Sequence, residues 1–266
     1  MVLLALFGAT MGQGVVWYTG QFYAQSFIEN VCKIDFDQSR TIIIWAILFA
    51  TPFFVFFGWL SDKVGRKWIM MLGMLLAVVT YNPLFKQLLT SSDVTNAVEL
   101  RDKEEIKSTI TPIASTENVI RVTSTKKTYQ GGMSVMEIKT DSVYASGALG
   151  AKPEVKVSKL LPGNIYWEMV LIVFVMILYV TMVYGPIAAF LVELFPTKIR
   201  YTSMSLPYHI GNGVFGGLTP FIATLLTTIY TENKLVGLWY PILVAIVSLV
   251  IGLVYMSNKI DPDVND

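Results

Sequence analysis

The sequence contains very few residues of the kinds that perform redox and acid–base chemistry. Among 266 residues there is one cysteine, Cys32, and one histidine, His209. A single cysteine excludes an intramolecular disulfide and every metal site built from several cysteines. Charged residues make up only 15% of the chain, against about 25% in ordinary soluble domains. The net charge of +1 argues against a nucleic-acid partner, which requires a basic stripe. We therefore expect no cofactor, metal or nucleic acid.

Long apolar segments take the place of the missing charges, and the mean hydropathy is +0.57. A membrane-crossing helix needs about 20 predominantly apolar residues. The first qualifying segment has no basic residue before it and is interrupted by glycines and glutamines, so we interpret it as a mature span and not as a signal peptide. The prediction is an all-α polytopic membrane protein with six spans free of Asp, Glu, Lys and Arg: Val2–Phe27, Thr41–Leu60, Trp68–Phe85, Met169–Val192, Tyr201–Tyr230 and Leu235–Asn258.

The short loops indicate the orientation of the chain. Lys63, Arg66 and Lys67 lie between spans two and three, and Lys198 and Arg200 lie between spans four and five. The positive-inside rule places both loops, and with them both termini, in the cytoplasm. The outward segments are then 28–40, 86–168 and 231–234. The long segment is itself rich in lysine and arginine, but loops above about 60 residues translocate largely regardless of charge.

About half of the charged residues lie in one insertion between spans three and four. Within it, Ala97–Lys107 is compatible with a helix, and Asn118–Ser124 and Ser134–Thr140 suggest a hairpin around Gly131 and Gly132. A loop covering the outer face is favoured over a ligand-binding receptor domain, because there are too few apolar residues for a core. The predicted organisation is spans one to three in 1–92, the extracytoplasmic insertion in 93–164, spans four to six in 165–258 and a cytoplasmic tail in 259–266.

A GxxxDxxGRK motif joins spans two and three, comprising Gly58, Asp62, Gly65, Arg66 and Lys67. The first glycine permits a close helix contact, and the second permits a tight turn. The aspartate can accept backbone N–H groups at a helix N-terminus, and the arginine can pair with a carboxylate through two hydrogen bonds. The alternative is an ordinary cytoplasmic loop that is basic under the positive-inside rule. It would account for the lysines, but not for the spacing of the two glycines, the aspartate and the arginine.

The motif resembles the signature loop of the major facilitator superfamily. Three further segments, Gly12–Ala24, Tyr184–Tyr201 and Ser205–Gly217, are similar to the C-terminal half, helices seven to twelve, of the metabolite:proton symporter family. Its members are related to proline/betaine, 2-oxoglutarate, citrate and shikimate transporters. The likeness covers 1–92 and 165–258, and the insertion carries none of it. The resemblance implies a six-helix half-bundle whose function requires an N-terminal six-helix half or a second copy of the chain.

The same resemblance implies a cytoplasmic gate. Glu193 is expected to meet Arg66 within the half-bundle and to form a charge cluster with Asp62 and Arg200. A glutamate at a membrane boundary beside a basic loop independently favours an ion pair. The alternative is static anchoring of the loops, without any gating.

Polar side chains inside the spans are the candidates for a solute path. Three of them recur at i, i+4 and i+8 on one face of span one. Tyr208 and Asn212 lie within one turn of span five, and Tyr184 precedes a Gly-Pro bend in span four. Such residues also serve as interhelical hydrogen-bonding groups worth about 1 kcal/mol. The candidates are Gln13, Trp17, Gln21, Tyr184, Tyr208 and Asn212.

His209 is the one conventional candidate for a proton carrier within the spans, since its reference pKa of about 6.5 permits titration near neutrality. A lone histidine in a glycine-rich helix is more often a hydrogen-bonded packing residue. The two roles stay open at this point.

The function predicted is proton-coupled symport of a small organic solute, a carboxylate or a zwitterion, by alternating access in a bacterial inner membrane. The chain would supply one half, its partners being the lipid bilayer, the other half, the solute and protons. The absence of a GxxxxGK[ST] motif argues against ATP hydrolysis, and no enzymatic activity is expected. Two alternatives remain: a membrane scaffold or sensor that displays the insertion, and an inactive fragment of a split or truncated transporter. The DNA upstream of Met1 distinguishes the last of these.

Overall fold

The computed structural model describes residues 1–95, 97–112, 119–143 and 153–257. Within these ranges, six helices are long and apolar enough to cross a membrane, which confirms the prediction of a helical polytopic membrane protein. The sixth helix ends three residues before the predicted limit of Asn258, which lies outside the described residues. The helices are α1 (Val2–Val31), α2 (Phe36–Val64), α3 (Arg66–Ser91), α4 (Gly163–Leu194), α5 (Thr197–Ile229) and α6 (Val236–Tyr255).

Local sequence signals set the ends of α2. The Asp35 carboxylate accepts the backbone N–H of Asp37 at 3.1 Å, an N-cap that satisfies one of the free donors of the first turn. At the other end Gly65 has a φ of 104°, a conformation that side-chain-bearing residues rarely adopt. The predicted tight turn is therefore present, and α3 begins at the next residue. The end of the bundle that carries this turn is called the signature-loop end below, and the opposite end is called the insertion end.

Three of the helices are irregular along their length. The α4 helix is interrupted between Tyr184 and Ile187, at the Gly-Pro bend that the sequence contains. Wider π-type turns occur in α1 and α5, and such turns are frequent at functional sites. They span Leu6–Thr10, Thr19–Tyr23, Phe27–Val31 and Gly211–Gly216.

Helices α1 and α4 form the centre of the bundle. Two-thirds of the most apolar stretch of each is buried, against 22% for α2 and 28% for α5. The α1 helix packs between α5 and α6, and α4 packs against α2 and α3. The apolar side chains of α2 and α5 consequently point outward, where lipid or another protein surface can cover them.

Helices α1 and α5 approach each other closely at Gly14 and Gly211. A Cβ on Gly14 would lie 2.5 Å from the Gly211 carbonyl oxygen, so only glycine fits at this crossing. Gly58 was predicted to serve such a contact between helices, but a Cβ there meets no described atom within 4 Å. The backbones of α2 and α4 do approach closely beside Gly58, since a Cβ on Gly185 would lie 3.1 Å from the Phe54 carbonyl oxygen and 3.5 Å from the Gly58 nitrogen. This contact requires glycine at position 185 and not at position 58.

We expect Gly14→Ala to lower the free energy of unfolding by about 1–3 kcal/mol, since the added methyl group forces two helix backbones apart. The matched control is Gly58→Ala, where a methyl group has room and alanine favours the helix by about 0.5–1 kcal/mol. Thermal unfolding of the purified chain in detergent measures both. Equal effects of the two substitutions would contradict the packing described here.

The insertion forms a four-stranded antiparallel sheet in the order β1-β2-β3-β4. Strands β2 and β3 are the predicted hairpin, joined by a turn in which Gly131 and Gly132 have positive φ. Asn118, where the hairpin was expected to begin, lies outside the described residues. The strands are β1 (Glu105–Pro112), β2 (Val119–Thr128), β3 (Ser134–Val143) and β4 (Glu154–Leu160).

The helix predicted for Ala97–Lys107 is wrong. The segment contains one short 3-10 turn, Arg101–Lys103, and then the start of β1. Strand β1 pairs along its whole length with β2, with Glu105 opposite Lys126 and Pro112 opposite Val119. A charged stretch with local helix propensity thus becomes a strand because the next segment supplies a hydrogen-bonding partner.

The sheet is tied to the helical bundle through β4. The backbone N–H of Lys159 donates to the Lys33 carbonyl at 2.7 Å, and the N–H of Asp35 donates to the Lys159 carbonyl at 2.9 Å. The Gln38 amide adds two bonds to the Leu161 backbone, donating at 3.1 Å and accepting at 2.7 Å. The insertion is therefore fixed to the connection between α1 and α2.

Candidate functional site

All six side chains predicted for the solute path lie together where α1, α4 and α5 meet. Hydrogen bonds and ring contacts join them into one continuous set, called the polar cluster below. Because the residues come from three helices and from positions up to 199 apart in sequence, only the fold unites them. The polar cluster consists of Gln13, Trp17, Gln21, Tyr184, Tyr208 and Asn212.

Gln13 and Asn212 form the buried end of the polar cluster. The Asn212 Nδ2 donates to Gln13 Oε1 at 3.1 Å and to the Tyr208 carbonyl at 3.0 Å. Gln13 is fully buried, and Asn212 is 8% exposed. One carboxamide therefore bridges α1 and α5 directly below the Gly14–Gly211 crossing.

The other end of the polar cluster is aromatic and half-buried. The hydroxyls of Tyr184 and Tyr208 share a hydrogen bond of 2.6 Å between α4 and α5. The Tyr184 ring lies 5.1 Å from the Trp17 ring, and the Trp17 indole N–H donates to Gln21 Oε1 at 2.7 Å. The spacing of residues 13, 17 and 21 on one face of α1 is what brings them to this surface.

Two buried polar atoms of the polar cluster have no hydrogen-bond partner among the described residues. These are Gln13 Nε2, a donor, and Asn212 Oδ1, an acceptor. A buried polar group without a partner costs about 1–3 kcal/mol. Such atoms call for an explanation in a native structure, and a bound water or solute group is one. The pair offers one donor and one acceptor and no formal charge.

His209 lies beside the polar cluster but outside its hydrogen bonds. Its side chain is exposed on α5, and its ring contacts the Tyr208 ring edge-on with 5.8 Å between centroids. The histidine is thus next to a member of the polar cluster, on a face of α5 that the described residues leave exposed. The described residues contain no group of three His, Cys, Asp or Glu side chains able to hold a metal ion.

A second arrangement, called the charge cluster below, lies at the signature-loop end. The Arg66 guanidinium pairs with both carboxylate oxygens of Glu193, at 2.6 Å each, and with Asp62 Oδ1 at 2.6 Å. The side chains of Arg66 and Glu193 are 21% and 27% exposed, against 59% for Asp62. The bidentate pair between α3 and α4 is thus the shielded part, and this geometry fits a planar guanidinium but not a lysine.

Lys67 and Arg200 bind backbone carbonyls next to the charge cluster. Lys67 is almost fully buried, and its Nζ donates to the carbonyls of Leu253 and Met256 at 2.9 and 2.6 Å. It thereby satisfies acceptors that the last turn of α6 leaves free. The Arg200 Nε donates to the Phe195 carbonyl at 3.1 Å. The signature motif therefore also fixes α6 to α3, a role that the sequence does not reveal.

Sequence reasoning missed two hydroxyls that link α1 to its neighbours. Thr10 is fully buried and donates to the Pro207 carbonyl at 2.7 Å, and Ser248 of α6 accepts the Gly12 N–H at 3.1 Å. Thr10 lies three residues before Gln13 on the same helical face, and this spacing is the one sequence signal that points to it. Ser248 has no comparable neighbour in its own helix.

Two partial relatives are similar to this chain. A putative metabolite transport protein of Haemophilus influenzae is 45% identical over 78 residues, which is 29% of this chain and 17% of the relative. The inner membrane metabolite transport protein YhjE of Escherichia coli K12 is 43% identical over 47 residues, 18% of this chain and 11% of the relative. The matches thus span less than a fifth of either relative. No protein-family model matches the chain, and no solved structure does.

Proposed function

We propose that this chain is one six-helix half of a proton-coupled secondary transporter that carries a small organic solute by alternating access. The polar cluster is the observation that carries the proposal. It is a set of neutral hydrogen-bonding side chains from three helices of the bundle, and it includes one unpartnered donor and one unpartnered acceptor. Polar groups inside a membrane are expensive, and they mark solute or ion pathways. The partial relatives named as metabolite transport proteins support a transport role.

The chemistry of the polar cluster favours a carboxylate or a zwitterion as the solute. The Gln13 amide N–H can donate to a carboxylate oxygen, and Asn212 Oδ1 can accept from an ammonium or hydroxyl group. The tyrosine hydroxyls add a donor and an acceptor at the half-buried end. A neutral site of this kind binds polar solutes through hydrogen bonds without a fixed counter-charge.

A single half supplies one wall of such a site. Secondary transporters bind solute near the bilayer midplane between two repeats that move against each other. The partner here is an N-terminal six-helix half or a second copy of this chain, covering the exposed face of α5 beside His209. With the basic signature-loop end in the cytoplasm, both termini are cytoplasmic and the insertion is outside, as in a bacterial inner-membrane protein.

The charge cluster is the cytoplasmic gate in this proposal. A bidentate pair across α3 and α4 stabilises one packing of the signature-loop end. The partners separate when α3 and α4 shift relative to each other as this end of the half-bundle opens. Gly65 gives the intervening turn its conformation. Lys67 keeps α3 and α6 together while this occurs.

Counterflow in proteoliposomes tests the transport proposal. The chain is reconstituted alone, where a second copy can pair with it, and together with any six-helix half that its reading frame encodes upstream. We expect exchange of at least one radiolabelled probe among glycine betaine, 2-oxoglutarate, citrate and shikimate. An inward-directed proton gradient should drive its accumulation. Counterflow of none of the four in either preparation would contradict the proposal and favour a scaffold that displays the insertion.

His209 is the candidate proton carrier, and the same vesicles test it. His209→Gln should abolish accumulation driven by the proton gradient but leave counterflow intact, because exchange requires no net proton movement. Equal loss of both activities would assign His209 a structural role.

A further inference from the structure

A cavity of about 310 Å³ lies at the insertion end, apart from the polar cluster. Gln21 is the member of the polar cluster nearest to Cys32 in sequence, and the 11 positions between them correspond to roughly 16 Å along a helix. The cavity lies where the end of α1, the end of α3, strand β4 and the connection between α5 and α6 meet. Its lining includes Val31, Cys32, Leu89, Asp93, Lys159 and Lys234.

The charges of the cavity favour an anion. Lys159 and Lys234 face Asp93, so the two ammonium groups outnumber the carboxylate. The Asp93 carboxylate is already engaged, accepting the N–H and hydroxyl of Thr95 at 2.9 and 2.5 Å. These hydrogen bonds are the main reason that the pKa of Asp93 lies below its usual range, so the group remains ionised. No salt bridge of Lys234 occurs within the described ranges.

Lys159 is fixed in position, and its ammonium group keeps N–H donors that can bind a ligand. Its backbone is clamped between Lys33 and Asp35, and its Nζ donates to the Ser92 carbonyl at 2.6 Å. An ammonium group has three donors, so two remain for a ligand. Burial lowers the pKa of Lys159, and the nearby charge of Lys234 acts in the same direction. An anion between the two lysines would offset their mutual repulsion and favour the charged form of Lys159.

The rest of the lining is partly apolar and partly hydroxyl-bearing, the hydroxyls coming from Thr90, Ser92 and Thr95. Val31 and Leu89 line one side of the cavity. Burial raises the pKa of the Cys32 thiol to about 11, and the Ser92 hydrogen bond and the two lysines only partly oppose this. A neutral, buried thiol is a poor nucleophile and a small hydrophobic surface. The cavity therefore joins a cationic end to an apolar wall, at the lower limit of the volumes typical of small-molecule sites.

We propose that this cavity binds a small organic carboxylate, with the carboxylate between the ammonium groups of Lys159 and Lys234 and the hydrocarbon part against Val31 and Leu89. The site is independent of the polar cluster and of transport. It also gives the insertion a role, because β4 supplies one of the two cationic ligands.

Isothermal titration calorimetry of the purified full-length chain tests this site, with sodium butyrate as the probe. Butyramide, its neutral counterpart, and inorganic phosphate are the comparison ligands. We expect saturable binding of butyrate, no binding of butyramide, and an increase in the Kd for butyrate of about tenfold or more in Lys234→Met. Lys159→Met should act likewise. Lys234 is exposed, and its side chain makes no salt bridge within the described ranges, so its substitution keeps the test valid if Lys159→Met does not fold.

Lys86→Met is the matched control, since Lys86 is an exposed lysine of α3 outside the cavity lining. Binding of phosphate but not butyrate, or binding that is unchanged in both lysine variants, would overturn the proposal.

Discussion

Asn212→Ala is expected to reduce solute uptake by about tenfold or more and to destabilise the bundle by about 1–3 kcal/mol. The substitution removes the donor shared by Gln13 Oε1 and the Tyr208 carbonyl and leaves the Gln13 amide buried without a partner. Gln13→Ala should lower uptake and stability similarly, because it removes the acceptor of the Asn212 amide on α1. Uptake into proteoliposomes and thermal unfolding of the same preparations measure the two quantities.

A double substitution separates recognition of the solute from helix packing. Replacing both partners of a buried hydrogen bond by apolar groups of similar shape is often nearly neutral for stability. Gln13→Leu combined with Asn212→Leu should therefore recover most of the stability lost in the single variants while uptake stays absent. Asn82→Ala, which removes an exposed amide of α3, is the control. Recovery of uptake in the double variant would mean that the pair only joins α1 to α5.

Exchange of the charges of Arg66 and Glu193 is expected to restore what either single reversal removes. Arg66→Glu or Glu193→Arg alone places like charges together and eliminates two hydrogen bonds of 2.6 Å, with an expected cost of about 2 kcal/mol in stability. The double exchange recreates an ion pair between α3 and α4. Membrane level, thermal unfolding and uptake of each variant provide the comparison.

Asp62 is expected to limit this rescue. The carboxylate introduced by R66E also faces Asp62, which now pairs with Arg66. Adding Asp62→Asn to the double exchange should therefore improve the recovery, and the more exposed position of Asp62 limits the size of that effect. Absence of any rescue in both the double and the triple variant would remove the gate from the proposal. Rescue of stability without uptake would assign the pair to anchoring alone.

The polar cluster was accessible to sequence reasoning because its signal is local. Gln13, Trp17 and Gln21 repeat at helical spacing inside a segment that lacks charged groups, and glycines mark the helix that faces them. The same argument is weaker for Thr10, since a threonine hydroxyl often bonds to its own helix. Its bond to Pro207, nearly 200 positions away, depends on how α1 and α5 cross.

The features that sequence reasoning missed depend on contacts between distant segments. The positive-inside rule treats Lys67 as one more basic residue of a loop. Its hydrogen bonds to the end of α6 depend on how α3 and α6 pack. Residues 105–107 have a helix-compatible composition, and only pairing with β2 makes them a strand. The cavity at the insertion end is built from four separate segments, and none of them has a pattern that indicates a site.

The hydrogen bonds between Gln38 and Leu161 impose an order on biosynthesis. The two residues are 123 positions apart in the chain. At a synthesis rate of about 5–20 residues per second, Gln38 waits roughly 6–25 s before its partner is made. The hairpin of α1 and α2 therefore enters the bilayer with its connection unsecured, and that connection is fastened only after the whole insertion has been synthesised. A ribosome paused within the insertion would leave the connection open to proteases on its side of the membrane.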